Sequence, residues 1–402
     1  MAKNIIIAGS GFAGLWAAIS AARAVSLAGQ ESEVAITVVS PSPNVTMRPR
    51  LYEAVLDNMT PNIADLLVAV GVKHVGGRVE TINASAKTIN IAKNDGSRET
   101  VRYDRFVLAA GSQLFQPDIP GLAGHGFNTD QWDSAQRLDA HLKALADQPD
   151  TLARNTVVIA GGGFTGLEAA TEMPIRLRAV LGSGIEHRVI IVDTATTVGL
   201  SMGEQALPFV QEALSEAGIG TRSDVRVIAV DADSVTLSSG ERIETNTLVW
   251  SAGMRASPIA AQVPGDHDTL GRVIGDAFLR APASDGIFVT GDTVLAATDN
   301  QDNFAPMSCQ HAVSLGRVAG HNAAAELVGL DLHPYSQPKY VTCLDLGEWG
   351  ALYTEGWDRQ VQFTRDEGKK IKQEINRTWI YPPEADRNAA FAVANPDYVI
   401  VP

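Results

Sequence analysis

Cysteine is nearly absent from this sequence: among 402 residues there are two, Cys309 and Cys343. They form no closely spaced pair, and a thiol–disulfide relay needs two neighbouring sulfurs, so that class of redox chemistry is excluded. Two cysteines and eight histidines, dispersed along the chain, are also too few for a metal site, and no metal is predicted. The low cysteine content fits a reducing compartment.

Positive charge and long apolar runs are scarce as well. The chain has 32 Lys and Arg against 46 Asp and Glu, a formal net charge of −14. Such a chain is not attracted to nucleic acid or to an anionic bilayer surface, so neither is expected as a partner. Apolar stretches such as 63–72 contain an acid and fall short of the ~20 residues that a membrane span requires. Since no signal peptide precedes the first strand, we predict a cytoplasmic protein with no integral membrane span.

The sequence does contain a glycine motif that occurs twice, each time between an apolar run and an alanine-containing amphipathic segment. The glycines are Gly9, Gly11 and Gly14 in the first copy and Gly161, Gly163 and Gly166 in the second. In this spacing the first glycine permits a tight turn, the second lets the backbone approach a pyrophosphate, and the third lets the helix pack against the strand. The positive end of the following helix attracts the phosphates. Two bound dinucleotides are therefore expected.

The residue at the tip of the next strand differs between the two copies. This position normally carries an acid that binds an adenosine ribose. The second copy has Asp193, which would bind both ribose hydroxyls and repel a 2′-phosphate, and no lysine or arginine follows it between 194 and 203. NADH is therefore predicted over NADPH. The first copy has Ser40, whose hydroxyl can bond to a ribose without the help of a charge.

The chain is too long for one core, and its pattern predicts an α/β protein. We expect two Rossmann-like dinucleotide-binding domains and a small C-terminal α+β region. The predicted ranges are 1–118 and 266–330 for the first domain, 119–265 for the second, and 331–402 for the C-terminal region. Arg48 and Arg50 follow the first β-α-β unit and suggest contact with an anion, or else a solvated loop. Pro174 is expected to end or kink the second motif's helix.

Beyond these patterns, the chain resembles a known family. Two glycine motifs about 150 residues apart, combined with segments 108–111 (Leu-Ala-Ala-Gly), 250–253 (Trp-Ser-Ala-Gly) and 290–292 (Thr-Gly-Asp), resemble the pyridine-nucleotide-dependent FAD oxidoreductases. Segment 163–172 and the missing redox cysteines resemble their type II NADH dehydrogenase branch. The resemblance covers about residues 3–330.

The resemblance implies FAD in the first unit and NADH in the second. The residues expected to bind FAD are Gly9, Gly11, Phe12, Ala13, Gly14, Ser40, Arg48, Ala110, Gly111, Asp292, Gln310 and His311. The residues expected to bind NADH are Gly161, Gly163, Phe164, Thr165, Gly166, Glu168, Asp193 and Gly253. The residues expected to take part in catalysis are Glu168, Glu172 and Gln310. Asp292 would contact the ribityl or phosphate region, and Glu168 would lie near the nicotinamide.

Each of these roles has a structural alternative. Asp292 could be a turn residue, and Glu168 and Glu172 could be buried, hydrogen-bonded helix acids. Cys309 and His311, on a helix predicted over 308–328, could be packing residues. The start of that helix would direct positive charge at the flavin's pyrimidine edge, where reduction places negative charge.

The electron acceptor is not fixed by the resemblance. The quinone-reducing branch usually opens the 308–328 helix with two glutamines four positions apart; here the first is Gln310 and the second position holds Ser314. The tail has one basic stretch, predicted to be a solvated helix face and not a membrane contact. Its members are Lys369, Lys370, Lys372 and Arg377. The acceptor pocket is expected to form from the loop 48–52, the helix start near Gln310 and the tail.

We predict an FAD-dependent NADH:acceptor oxidoreductase. It would pass a hydride from NADH to flavin N5 and electrons onward to a quinone or another small conjugated acceptor, without redox-active cysteines. Three alternatives stay open: a reductase for a ferredoxin-like protein, a redox-responsive flavoprotein that acts through interactions, and a dehydrogenase for one metabolite. An exposed strand layer in the tail could pair with a second copy, so a homodimer is also open.

Overall fold

Strands and helices alternate along most of the chain in the computed structural model, which describes residues 2–399. The strands are β1 (Lys3–Ala8), β2 (Val34–Ser40), β3 (Lys73–Asn83), β4 (Thr88–Lys93), β5 (Arg98–Arg102), β6 (Arg105–Leu108), β7 (Ser112–Leu114), β8 (Gly126–Phe127), β9 (Thr156–Ala160), β10 (Arg188–Val192), β11 (Gly220–Arg222), β12 (Val227–Val230), β13 (Ser234–Leu237), β14 (Arg242–Glu244), β15 (Thr247–Trp250), β16 (Met254–Ala256), β17 (Val273–Ile274), β18 (Ile287–Val289), β19 (Val294–Leu295), β20 (Val341–Asp345), β21 (Ala351–Glu355) and β22 (Gln360–Phe363). The helices are α1 (Phe12–Leu27), α2 (Ala64–Ala69), α3 (Leu122–His125), α4 (Trp132–Ala144), α5 (Phe164–Leu181), α6 (Leu207–Glu216), α7 (Cys309–Val328), α8 (Arg365–Glu374) and α9 (Arg387–Val393). The predicted α/β class is confirmed.

The first sheet has seven strands in the order β18-β6-β1-β2-β3-β4-β5. The strands from β18 to β3 are parallel, and β4 and β5 extend the sheet in antiparallel fashion. Ile5, Ile6 and Ile7 of β1 are almost fully buried, as expected for a parallel strand covered on both faces. The first glycine motif therefore follows an interior strand, at the sheet edge where α/β proteins bind ligands.

The second sheet repeats this arrangement around the second motif. Its five strands are parallel, in the order β11-β10-β9-β15-β8. All residues of the central strand β9 are buried, and the second glycine motif follows it directly. A three-stranded antiparallel sheet, β12-β13-β14, shares a hydrophobic cluster with this sheet.

The chain crosses between the two sheets at β7 and at β16, and these two short strands pair with each other. Gly111 and Gly253 directly precede them, with φ values of +67° and +82° that favour glycine. The amide of Phe115 donates to the carbonyl oxygen of Gly253 at 2.5 Å. Because both crossings form one ribbon, they fix the position of one sheet relative to the other.

Glycines also set the distance between α1 and α7, the helices that pack most closely in the first domain. A Cβ atom on Gly316 would lie 2.4 Å from the carbonyl oxygen of Ala13, and one on Gly320 would lie 2.0 Å from that of Ala17. Real Cβ atoms do not approach so closely, so the small residues are required for the helices to meet. The start of α7 is thereby held beside the start of α1.

The C-terminal region forms a layer of its own, in which the antiparallel sheet β20-β21-β22 is covered by α8. A Cβ atom on Gly368 of α8 would lie 2.2 Å from the carbonyl oxygen of Ala351, so this helix lies directly on the sheet. The prediction that the basic stretch is a solvated face is wrong for Lys372, whose side chain is 6% exposed. Its charge is neutralised inside the protein, as described below.

The prediction that Pro174 ends the helix is wrong, while the alternative that it kinks the helix stays a prediction. Helix α5 continues through this residue to Leu181, with Pro174 inside it. Pro174 and its neighbours Met173 and Leu177 are buried, so packing outweighs the one backbone hydrogen bond that proline removes. Among residues 2–399 no helix has the length and apolar character needed to cross a bilayer.

The contact between α1 and α7 can be tested with Gly320→Ala. The added methyl group meets the backbone of α1, so we expect a loss of about 1–3 kcal/mol in the free energy of unfolding, measured by urea denaturation. Gly124→Ala is the matched control because nothing lies within 4 Å of its Cβ position. Equal stability of the two variants would show that the helices do not need the close approach.

Candidate functional site

The first glycine motif forms a cradle with one open position. A Cβ atom on Gly9 would lie 2.3 Å from the carbonyl oxygen of Ala109, and one on Gly14 would lie 2.0 Å from that of Gly9. Nothing lies within 4 Å of the Cβ position of Gly11, which begins α1 as its N-cap with no side-chain hydrogen bond. The outer glycines are therefore required by packing, while the middle one faces space that a pyrophosphate could fill.

The second motif repeats this geometry and adds a carboxylate. A Cβ atom on Gly166 would lie 1.8 Å from the carbonyl oxygen of Gly161, whereas nothing lies within 4 Å of that position on Gly163. The carboxylate of Asp193 accepts hydrogen bonds from the amide of Gly162 and, at 2.7 Å, from the amide of Ala195. The structure thus brings Asp193 to the glycine turn, where the ribose of a dinucleotide would lie.

Arg48 and Asp292, both predicted at the FAD site, meet in a polar cluster. Arg48 Nη1 lies 3.7 Å from Asp292 Oδ2, and its Nη2 donates to Asp130 Oδ1 at 2.5 Å. Ser112 Oγ donates to Asp292 Oδ2 at 2.5 Å. Burial raises the pKa of Asp292, and Arg48 and Ser112 oppose that rise. Since β8 precedes Asp130 and β18 precedes Asp292, Arg48 connects the two sheets.

Arg50 does not join this cluster. Its guanidinium donates to both carboxylate oxygens of Glu53, at 2.9 and 2.6 Å, and to the hydroxyl of Tyr381. Of the two loop arginines, Arg48 therefore lies at the predicted FAD site, and its contact with an anion stays a prediction. Arg50 instead joins the loop to the tail.

At the start of α7, Ser308 is the N-cap and its hydroxyl lies 2.8 Å from Nδ1 of His311. His311 has no exposed surface, and its ring packs near Tyr340 and Trp357. Burial lowers the pKa of His311 to about 4. The predicted flavin contact of His311 stays a prediction. Gln310 is half-buried, and its side-chain amide has no hydrogen-bond partner in the described part of the chain.

The most unusual feature of the site is a buried ion pair between Glu168 of α5 and Lys372 of α8. Lys372 Nζ donates to Glu168 Oε1 at 2.7 Å and to the carbonyl oxygen of Cys343 at 3.1 Å. The side chains are 4% and 6% exposed. Burial raises the pKa of Glu168 to about 7, and Lys372 opposes that rise. Burial would lower the pKa of Lys372, but Glu168 and other neighbours hold it above the ordinary lysine value.

Two aromatic rings lie beside this pair, and a second buried acid lies next to them. Lys372 Nζ lies 5.7 Å from the ring centre of Tyr52 and 5.6 Å from that of Phe164, the first residue of α5. The hydroxyl of Tyr52 donates to Asp345 Oδ2 at 3.0 Å, and Lys369 Nζ lies 2.6 Å from Asp345 Oδ1. Three parts of the chain therefore meet at Lys372: the loop after Arg48, the start of α5 and the C-terminal layer.

Glu172 lies one helical turn beyond Glu168. Burial and nearby Asp345 raise its pKa, while Lys369, the amide of Ala54 and Arg176 lower it. Its predicted catalytic role stays a prediction. Glu168 and Glu172 are thus partnered helix acids, and Glu168 also lies close to the second glycine turn.

Sequence analysis missed Lys372, Asp345 and Asp130 as site residues. Lys372 occurs in a polar segment of α8, 204 positions from its partner, so neither composition nor spacing marked it. Asp130 follows the short strand β8, a position that could have suggested a ligand-edge residue. The two cysteines are free thiols, and burial raises their pKa values, to about 11 for Cys309 and about 12 for Cys343.

Comparison with known proteins places this geometry in context. Residues 3–316 match the model of the pyridine nucleotide-disulphide oxidoreductase family. An NADH dehydrogenase-like protein of Mycobacterium tuberculosis is 43% identical over 383 residues, which cover 94% of each chain. A demethylphylloquinone reductase of a Synechocystis species is 28% identical over 362 residues, which cover 88% of this chain and 85% of the relative.

A solved structure has the same fold. The NDH2 protein of Plasmodium falciparum, determined in complex with RYL-552, superposes with a TM-score of 0.75 and 13% identity, and the match covers 100% of both chains. At this identity the likeness concerns the fold alone.

The buried pair predicts a pH-dependent stability. Because the pKa of Glu168 is about 7 in the folded chain and near 4.5 when unfolded, the folded state binds more protons between these values. This contribution is fully present below pH 4.5 and is lost as the pH rises through 7. We therefore expect the free energy of unfolding of the wild type, relative to Glu168→Gln, to fall between pH 5 and pH 8.

The exposed residue Glu204 provides the control, since Glu204→Gln should keep the wild-type pH profile. Parallel profiles for the wild type and Glu168→Gln across this range would contradict the raised pKa.

Proposed function

This chain belongs to the pyridine nucleotide-disulphide oxidoreductase family, and on that premise we propose that it is an FAD-dependent NADH:quinone oxidoreductase. It is an oxidoreductase whose family cofactors are FAD and NADH. The observation that carries the acceptor proposal is the buried ammonium of Lys372, held where the loop after Arg48, the start of α5 and the C-terminal layer meet.

The residues present fit both cofactors. Each glycine motif has two positions closed by neighbouring atoms and one open position at a helix start, the form expected of a pyrophosphate cradle. Gly9, Gly11 and Gly14 would hold FAD, and Gly161, Gly163 and Gly166 would hold NADH. Phe12, Ala13, Ala110 and Gly111 would border FAD, and Phe164, Thr165 and Gly253 would border NADH.

When bound, FAD accepts a hydride from NADH and passes the electrons to the acceptor. In the protein, Asp292 is a carboxylate directed by Ser112 and Arg48, suited to accept hydrogen bonds from a polyol such as the ribityl chain. Arg48 forms ion pairs with this carboxylate and with Asp130. It would thereby fix the position of one cofactor domain relative to the other.

For the acceptor, Lys372 supplies what quinone reduction requires. A quinone oxygen gains negative charge and then a proton, and a preorganised ammonium can stabilise the charge or donate the proton. Glu168 and the carbonyl oxygen of Cys343 fix the position of Nζ. The side-chain amide of Gln310 has no hydrogen-bond partner in the described part of the chain and would orient the acceptor.

The thiols take no part in this proposal. Burial raises the pKa values of Cys309 and Cys343 well above neutrality, so both stay protonated and are poor nucleophiles. An acidic ferredoxin is disfavoured as acceptor, because the chain itself has a net charge of −14.

The proposed nucleotide preference follows from Asp193. A 2′-phosphate would be placed against this carboxylate, so we expect kcat/KM for NADH to exceed that for NADPH by about 10²-fold or more. Asp193→Asn keeps the side-chain shape and removes the charge, and it should reduce this ratio at least about tenfold. Asp231→Asn, an exposed acid of the same domain, is the control. An unchanged ratio in Asp193→Asn would contradict the role of Asp193.

The proposed acceptor role is tested with Lys372→Gln. The amide can still donate hydrogen bonds but has neither charge nor a transferable proton, so turnover with menadione or a short-chain ubiquinone should fall about 10²-fold. The rate at which NADH bleaches the bound flavin should fall less than this turnover, although Lys372→Gln also removes the partner of Glu168. Lys370→Gln, an exposed neighbour on the same helix, is the matched control.

Equal loss in the Lys370 and Lys372 variants would contradict this role, as would an equal loss in the bleaching rate. Turnover of the wild type with an iron–sulfur protein but with no quinone would favour the reductase alternative.

A further inference from the structure

The tip of β2 is built differently from the tip of β10, although the two positions correspond in the repeated unit. At the tip of β10, the carboxylate of Asp193 accepts a hydrogen bond from the amide of Gly162 in the second glycine motif. On β2, Ser40 is 4% exposed and its hydroxyl contacts two groups: the carbonyl oxygen of Ser42 at 2.7 Å and Nε2 of His74 at 2.9 Å. A serine and a histidine therefore stand where this fold usually has one carboxylate.

The hydrogen atoms of this group can be assigned by counting. Ser40 Oγ has one hydrogen and two lone pairs. A carbonyl oxygen can only accept, so the hydrogen of Ser40 points to Ser42, and Nε2 of His74 must then donate to Ser40 Oγ. One lone pair of Ser40 Oγ is left for a further donor. His74 thus fixes the hydroxyl as an acceptor.

The segment that follows Ser40 is held in place from both sides. The hydroxyl of Ser10, inside the first glycine motif, lies 2.8 Å from the carbonyl oxygen of Asn44 and 3.2 Å from that of Ser42, and shares its one hydrogen between them. From the turn between β4 and β5, Asn94 Nδ2 donates to the carbonyl oxygen of Pro41 at 2.7 Å. The acceptor on Ser40 is therefore preorganised next to the cradle at Gly11, which lowers the cost of binding.

Within residues 2–399, the hydrogen-bond partners of the Ser40 hydroxyl are the carbonyl oxygen of Ser42 and the ring of His74, and neither is a carboxylate. Burial lowers the pKa of His74 and the backbone of Ser40 raises it, and no charged group contributes. Burial therefore favours the neutral form of the imidazole. The neighbouring position on β3 is Gly76, which pairs with Ser40 and has no side chain.

We propose that Ser40 Oγ, positioned by His74, accepts a hydrogen bond from the 2′-hydroxyl of the adenosine ribose of FAD. The serine and the histidine then replace the acid that this fold usually has at this position. This inference rests on the proposed use of FAD but not on the identity of the electron acceptor. Ser40 is the binding residue and His74 a positioning residue. The two ribose subsites of the chain then differ in kind: Asp193 repels a 2′-phosphate, whereas Ser40 and His74 do not.

The test is a binding cycle with two flavins, FAD and an analogue with 2′-deoxyadenosine, titrated into the apoprotein and followed by flavin fluorescence. For Ser40→Ala we expect the Kd of FAD to rise about 2- to 12-fold, the range of one neutral hydrogen bond. The Kd of the deoxy analogue should stay within about twofold of the wild-type value, because the analogue lacks the hydroxyl. Ser85→Ala, an exposed serine between β3 and β4, is the control.

The positioning role is tested in the same assay. His74→Leu removes the donor and should raise the Kd of FAD but not that of the deoxy analogue, and His74→Gln, which keeps an N–H donor, should restore most of the affinity for FAD. Equal losses for both flavins in Ser40→Ala would overturn the proposal, because they would mean that Ser40 only shapes the loop. Unchanged affinity for both flavins would also overturn it. Since flavin binding is measured at equilibrium, a failure of the acceptor proposal would leave this result unaffected.

Discussion

The ammonium of Lys372 is the constraint on which the site depends. A buried cation is costly unless carboxylate and carbonyl oxygens surround it, and removing one partner of a buried pair costs about 3–5 kcal/mol. Here the oxygens come from Glu168 of α5 and Cys343 of β20, and the ring of Tyr52 covers the side chain. The C-terminal layer can therefore pack against α5 in one arrangement, the one that supplies these partners.

This packing places chemically different parts next to one another. Phe164 and Glu168 lie at the start of α5, the helix that follows the second glycine motif. The charge of Lys372 also lowers the pKa of Cys309, the first residue of α7, against the larger rise caused by burial. The close contact of α7 with α1 through Gly316 and Gly320 fixes that helix relative to the first cradle. The start of α5 thus lies beside the buried cation, and the start of α7 lies within its electrostatic influence; both helix starts are positive dipole ends. Such a concentration of positive potential suits a site proposed to stabilise reduced, negatively charged groups.

Much of the fold could be predicted because its signals are local. Each glycine motif occupies a few consecutive residues, and the geometry of Gly11 and Gly163 is what the spacing requires. The site was less predictable because its contacts are distant in sequence. Lys372 resembled a solvated lysine until its partner 204 positions away was known, and Pro174 resembled a helix end until its burial was known. His311 shows the opposite case: its position at the helix start suggested a ligand, while aromatic neighbours from the tail cover it. The predicted domain boundaries, cytoplasmic location and homodimer stay predictions.

The proposed hydride transfer requires that NADH at the second glycine motif reach flavin at the first, beside Glu168. A crystal structure of the FAD-loaded protein soaked anaerobically with NADH measures this directly. We expect the nicotinamide ring to be stacked on the flavin, with its C4 about 3–3.5 Å from flavin N5, the separation required for hydride transfer. A nicotinamide ring bound away from the flavin and from Glu168 would contradict it.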